Sequence, residues 1–93
     1  MPKVKNIEKR IWDVEGFDVA FMQNNRNVSG AKVILKTYTF SNMAKNDMTI
    51  QEWKTIRFNS LYPGYDVEVL DADGVNLPGN TKLGTLRDTY SED

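Results

Sequence analysis

The sequence predicts a small α+β domain, an antiparallel sheet of three to four strands packed by one main amphipathic helix, in the order β-β-β-α-β-α. Three observations carry that expectation. The first is a helix start: Thr49 followed three residues later by Glu52 forms a capping box, in which each side chain satisfies an orphan backbone N–H of the other. The second is the stop. Tyr62 precedes Pro63 and is pushed out of the α region, while Gly64 takes positive φ at no steric cost, so the helix ends near Ser60 or Leu61. The third is the run that follows, where Tyr65, Val67 and Val69 alternate with Asp66 and Glu68, the period of a strand with one wet face.

Within the helix, Ile50, Trp53, Ile56 or Arg57, and Leu61 recur at spacings of three and four, which places one apolar stripe on the sheet. Trp53 and Leu61 are its anchors. Upstream, residues 1–6 read as a frayed basic lead-in. Ile7 to Val14 is read as a strand, because Ile, Trp and Val favour one and no capping residue precedes them, although Ile7, Ile11 and Val14 also suit a short helix. Gly16 breaks the run, and Phe17, Val19 and Phe21 alternate on one face of a second strand or of the first continued across a bulge. Asn24, Asn25, Arg26 and Asn27, with Ser29 and Gly30, then form a hairpin loop. Lys32 to Phe40 is the longest alternating run, with Val33 and Leu35 on one side and Ile34, Tyr38 and Phe40 on the other, so it belongs at the sheet centre. Ser41 to Asp47 connects to the helix.

After the Tyr65–Leu70 strand, Asp71, Ala72, Asp73 and Gly74 make a turn, and Asn76 to Asn80 make a loop. Asn80 or Thr81 could cap a last short helix in which Leu83, Leu86 and Tyr90 share a stripe, with Gly84 weakening it by about 1 kcal/mol relative to Ala. Residues 91–93 should fray. At 93 residues the chain makes one domain with one core, and 27% charged and 40% apolar residues are those of a folded globule. No apolar run reaches the length of a membrane span and the start lacks a signal peptide's hydrophobic middle, so a cytoplasmic location is expected.

Cysteine and histidine are both absent, which removes thiolate chemistry, the commonest general base and the commonest metal ligand together. The net charge of −1 hides an uneven spread: residues 1–46 hold eight Lys/Arg against four acids, and residues 47–93 hold four against nine. The asymmetry hints at opposed basic and acidic surfaces, but the preferred expectation is that a sheet brings the halves together and they neutralise one another.

No motif points to catalysis, a cofactor or a metal. Asp71-x-Asp73-Gly74 opens like a calcium loop, but Lys82 stands where the twelfth-position Glu should be, leaving a plain Asp-Gly turn. Asp66 and Glu68 lack the strand lysine of a Mg²⁺ nuclease, and Gly79 to Gly84 lacks the Gly-Lys-Ser/Thr ending of a phosphate loop. Trp53 with Arg57 could stack on a ligand, or be a core indole under an arginine stem.

Two binding surfaces remain. Asp66, Glu68, Asp71 and Asp73 crowd one acidic edge suited to a cationic protein surface, whereas Lys9, Arg10, Trp12, Arg26, Lys32, Lys36 and Tyr38 mix bases with aromatics as single-stranded nucleic-acid binders do. A pI of 5.4 weighs against the second. The expectation is a non-enzymatic protein working by stoichiometric contact with a protein or nucleoprotein, in its sharpest form a phage or mobile-element inhibitor of a host defence nucleoprotein, anti-CRISPR-like in character. The alternatives are a single-stranded nucleic-acid-binding module and, behind it, a histidine-free ribonuclease toxin.

Overall fold

The computed structural model describes residues 2–90. Six elements follow one another: α1 (Val4–Glu15), β1 (Asp18–Gln23), β2 (Arg26–Asn27), α2 (residues 50–61), β3 (Asp66–Leu70) and α3 (Leu83–Asp88). They form an α+β domain around a three-stranded antiparallel sheet in the order β2-β1-β3.

The first element is a helix rather than a strand, and the physical reason lies in how it starts. Val4, Ile7, Ile11 and Glu15 are buried at helical spacing, yet Lys3 at the N-cap makes no side-chain capping bond. The orphan N–H groups of Val4 and Lys5 donate instead to the carbonyls of Lys32 (2.9 Å) and Gly30 (3.0 Å). A cap built from distant backbone leaves no trace among neighbouring residues. The same device starts α3, whose N-cap is Lys82 and not Asn80 or Thr81: Leu83 N–H donates to Met48 O and Gly84 N–H to Asn46 O. Gly84, a weak point for an isolated helix, is needed for that approach, since a Cβ there would lie 2.9 Å from the Asn46 Cβ. Chain order from residue 3 onward also replaces the expected frayed lead-in. The expected fraying of 91–93 lies outside the described residues.

Lys32 to Phe40 is not a strand. Its alternation does bury Tyr38 and leave Leu35 78% exposed, but its backbone joins no ladder beyond one bridge between Val33 and Lys3. Lys32 O accepts from α1, and Ile34 N–H donates to Pro2 O, so the segment closes over the helix start and never reaches the sheet. The hairpin turns earlier than expected: Asn24 and Asn25, at φ 54° and 62°, form a two-residue loop of the kind that pairs Gln23 with Arg26 and Met22 with Asn27.

In α2 both reciprocal bonds of the capping box are present. The helix is α over Ile50–Trp53, π over Lys54–Phe58, and α again over Asn59–Leu61. A π turn closes i→i+5 bonds, here Asn59 N–H to Lys54 O, and so brings residues five apart towards one face. Phe58 therefore joins Trp53 in the core, and Ile56, assigned to the stripe by α periodicity, is left 54% exposed. Trp53 is fully buried, which resolves its pairing with Arg57: the indole is core, and the guanidinium lies 4.4 Å over the Phe40 ring.

Tyr62 ends the helix with its ring 5.2 Å from both Phe21 and Phe58, and its hydroxyl is buried with no partner among the described residues. Burial alone pushes this phenol well above its usual range. An unpaired buried hydroxyl costs about 1–3 kcal/mol. Tyr62→Phe, which removes it and keeps the ring, should raise stability by about 1 kcal/mol in urea unfolding; a loss of stability would show that the hydroxyl has a partner after all.

Candidate functional site

The β1–β3 register sorts the sheet into two faces. Val19 lies opposite Val69 and Phe21 opposite Val67, all buried, while Asp18, Ala20 and Met22 lie opposite Leu70, Glu68 and Asp66 on the outer face. Asp66 and Asp18 are exposed there and Glu68 is half-buried. Their cross-strand partners are Met22, Leu70 and Ala20, so no cation is placed to neutralise them within the ladder. Asp18 is a member of this acidic face that sequence spacing missed, because only the register brings it beside β3.

Asp71 and Asp73 continue from β3 into its turn but play different parts. The Asp71 carboxylate accepts from the N–H groups of Asp73 and Val75, both at 2.9 Å, and so holds the turn. Asp73 is exposed at the tip. Among the described residues, none of Asp18, Asp66, Glu68, Asp71 and Asp73 forms an ion pair; the three pairs present are Lys9–Asp13, Arg57–Glu15 and Arg87–Glu15.

Those last two pairs explain the surplus. Glu15 sits at the C-terminal end of α1, fully buried, where the helix dipole disfavours a carboxylate. Its Oε2 accepts from Arg57 Nη1 (2.7 Å) and the Tyr38 hydroxyl (2.5 Å), and its Oε1 accepts from Ala44 N–H (2.8 Å) and Arg87 Nη2 (3.3 Å). Arg87 also donates from Nε to Glu15 O, and from Nη1 to Ala44 O and Asn46 Oδ1; Arg57 donates to Asn42 O. Burial pulls the Arg87 guanidinium down from its ordinary value, while the Glu15 charge holds it up. Two of the four cations in residues 47–93 thus turn inward onto an acid from the other half of the chain. The sheet does bring the two halves together through β1 and β3, but these two pairs withdraw cations from the acidic half, so its carboxylates are not neutralised from within that half.

The basic and aromatic residues are dispersed. Tyr38 is buried, donating to Glu15 and accepting from Trp53 Nε1 (3.2 Å), so it cannot stack on a base; burial and then the Glu15 carboxylate push its phenol far up. Arg26 and Lys32 line one open recess of about 560 Å³ beside the hairpin, with Asn24, Asn27 and Ser29. Lys36 and Arg10 are exposed outside it. Lys9 and Trp12 line a second recess of about 440 Å³, between α1 and β1, with Glu8, Asp18 and Val19. Trp12 therefore keeps company with acids.

Tyr90 supports this second recess. Its ring meets Trp12 edge to face at 5.1 Å, and its hydroxyl accepts from Asp18 N–H (3.0 Å) and donates to Leu70 O. Glu8 reaches in from α1, its Oε2 accepting from Phe21 N–H at 3.0 Å. Burial raises the Glu8 carboxyl, the Phe21 bond opposes that rise, and the Asp18 charge adds to it.

Among the described residues no group of three potential metal ligands converges, and no helix is long and apolar enough to cross a membrane. No family model, curated protein or solved structure matches this chain.

Proposed function

We propose that this protein acts by stoichiometric contact with a basic surface on a protein or nucleoprotein, through the carboxylates of its open sheet face, and not by turnover. One observation carries this reading: Arg57 and Arg87 are drawn inside by Glu15, so the acids of the second half meet only Lys54 and Lys82 as outward cations from their own half. A surface of one sign steers association with its opposite and discriminates against other partners. A basic groove built to hold nucleic acid is the matching charge, which makes inhibition of a nucleic-acid-handling nucleoprotein, such as a phage-encoded block on a host defence complex, the sharpest form of the proposal. A cytoplasmic setting goes with it.

The nucleic-acid alternative is supported by the Arg26 and Lys32 recess, and is weakened by the loss of its two stackers, Tyr38 to the core and Trp12 to the acidic recess. A binder of single strands needs both phosphate contacts and stacking platforms.

The test is Asp66→Lys combined with Glu68→Lys. Asp66 is exposed but its Oδ1 accepts from Val67 N–H (2.8 Å), and Glu68 is half-buried, so the two changes should cost about 1 kcal/mol, whereas losing electrostatic steering should slow association about tenfold or more at low salt. Affinity capture from the source cell's lysate, with association rates measured on the captured partner, reads the first effect, and thermal melting reads the second. An unchanged rate in a folded double variant would leave the acidic face as solvated surface; salt-sensitive binding of an oligothymidine probe at the hairpin would favour the alternative instead.

A further inference from the structure

We propose that the recess between α1 and β1 is the seat for a cationic side chain of the partner, an arginine or lysine that lies against Trp12 and is neutralised by Asp18 and Glu8. The inference rests on the protein-contact reading and names the point at which that contact anchors.

Four features of the recess fit such a guest. Trp12 is a large aromatic left 39% exposed on a helix whose other apolar residues are buried or half-buried, and an indole face is the best of the aromatic surfaces for a cation. The indole does not swing freely: Tyr90 braces it edge to face at 5.1 Å, and Tyr90 is itself fixed at both ends of its hydroxyl by Asp18 N–H and Leu70 O. Such an anchor loses little freedom on binding, the property that marks aromatic hot spots.

The remaining features are electrostatic. Glu8 and Asp18 face the recess from two different elements, close enough for the Asp18 charge to bear on Glu8, and Glu8 is half-buried. One Glu8 oxygen is taken by Phe21 N–H, which fixes the carboxylate and leaves its other oxygen free, and Asp18 forms no ion pair among the described residues. Lys9, the one cation lining the recess among the described residues, reaches along α1 to Asp13 at 3.3 Å and not to either acid. Two unneutralised carboxylates beside a braced indole form a cage with the charge and the π-face that a guanidinium or ammonium group uses.

The test uses the full chain, ¹⁵N-labelled, titrated with a nine-residue arginine-glycine peptide and, as control, the same peptide with glutamine at each arginine. The two tryptophans give separate indole N–H signals, and Trp53, buried and donating to Tyr38, is an internal reference. A saturable shift at Trp12, none at Trp53, and none with the glutamine peptide is the expected result. Asp18→Asn should then weaken binding about threefold or more, and Trp12→Phe, which keeps a smaller aromatic in place, should weaken it measurably without lowering the melting temperature. No shift at Trp12, or equal binding by wild type and Asp18→Asn, overturns the proposal.

The two failures are separable. If charge reversal at Asp66 and Glu68 slows partner capture while the arginine peptide leaves Trp12 unmoved, the acidic face stands and the seat is wrong. If the peptide seats at Trp12 while that reversal leaves capture untouched, the seat with Asp18 stands and Asp66 and Glu68 are solvated surface.

Discussion

Trp53→Ala should lower the unfolding free energy by about 3–5 kcal/mol, the usual effect of emptying a large aromatic site, and leave a domain of this size folded only marginally. The indole is fully buried, packed edge to face on Phe17 at 5.1 Å and tilted against Phe58 at 6.0 Å and Tyr38 at 6.5 Å. Its removal leaves a cavity where α2 meets Phe17 and the chain at Tyr38, and those elements approach from three separated parts of the sequence, so the site cannot collapse by moving one of them. It also takes away the N–H that the Tyr38 hydroxyl accepts. Native domains hold about 5–15 kcal/mol in all, so the loss should appear as a large drop in the urea midpoint. An unfolding free energy lowered by less than about 1 kcal/mol would mean that the core closes without the indole.

The parts of this fold that were legible from sequence are those whose signals are local. The Thr49 and Glu52 capping box, the Tyr62-Pro63-Gly64 stop, the alternation of Val67 and Val69 with Asp66 and Glu68, and the Asp71 turn each depend on residues within four of one another. What was illegible depends on groups far apart in the chain. Carbonyls at Gly30 and Lys32 start α1 from a distance, and those at Asn46 and Met48 start α3. The π turn defeated a three-and-four periodicity by exchanging Ile56 for Phe58 on the buried face, since periodicity assumes the α pitch throughout. Of the acidic site, Asp66 and Glu68 were legible from alternation, but Asp18 and the company of Trp12 were not, because strand register and helix packing place them.

Glu15 left no signal at all in the sequence, a lone acid before a glycine, and yet its removal should rank beside the loss of Trp53. Glu15→Ala is expected to cost about 3–5 kcal/mol, because it strands two largely buried guanidinium groups, and stranding a buried charge is far more costly than never having the pair. Glu15→Gln should rescue little of this. All four groups that meet the carboxylate, Arg57 Nη1, Arg87 Nη2, Ala44 N–H and the Tyr38 hydroxyl, act as donors, so whichever way a glutamine amide turns, its NH₂ faces donors. The Tyr38 hydroxyl is the one partner able to reverse, since a hydroxyl can accept as well as donate. Because Glu15 also ties down Ala44 directly and Asn42 through Arg57, its loss should free the irregular segment between Tyr38 and Asn46 before the sheet gives way. Hydrogen exchange distinguishes that order of events: the Ala44 amide should exchange much faster in Glu15→Gln than in the parent, while amides of β1 and β3 change only as far as global stability does. Equal acceleration at Ala44 and in the sheet would mean that Glu15 supports the whole core evenly. An unchanged urea midpoint in Glu15→Ala would mean that both arginines relax into water at no cost, and that Glu15 does not hold two cations back from the acidic half.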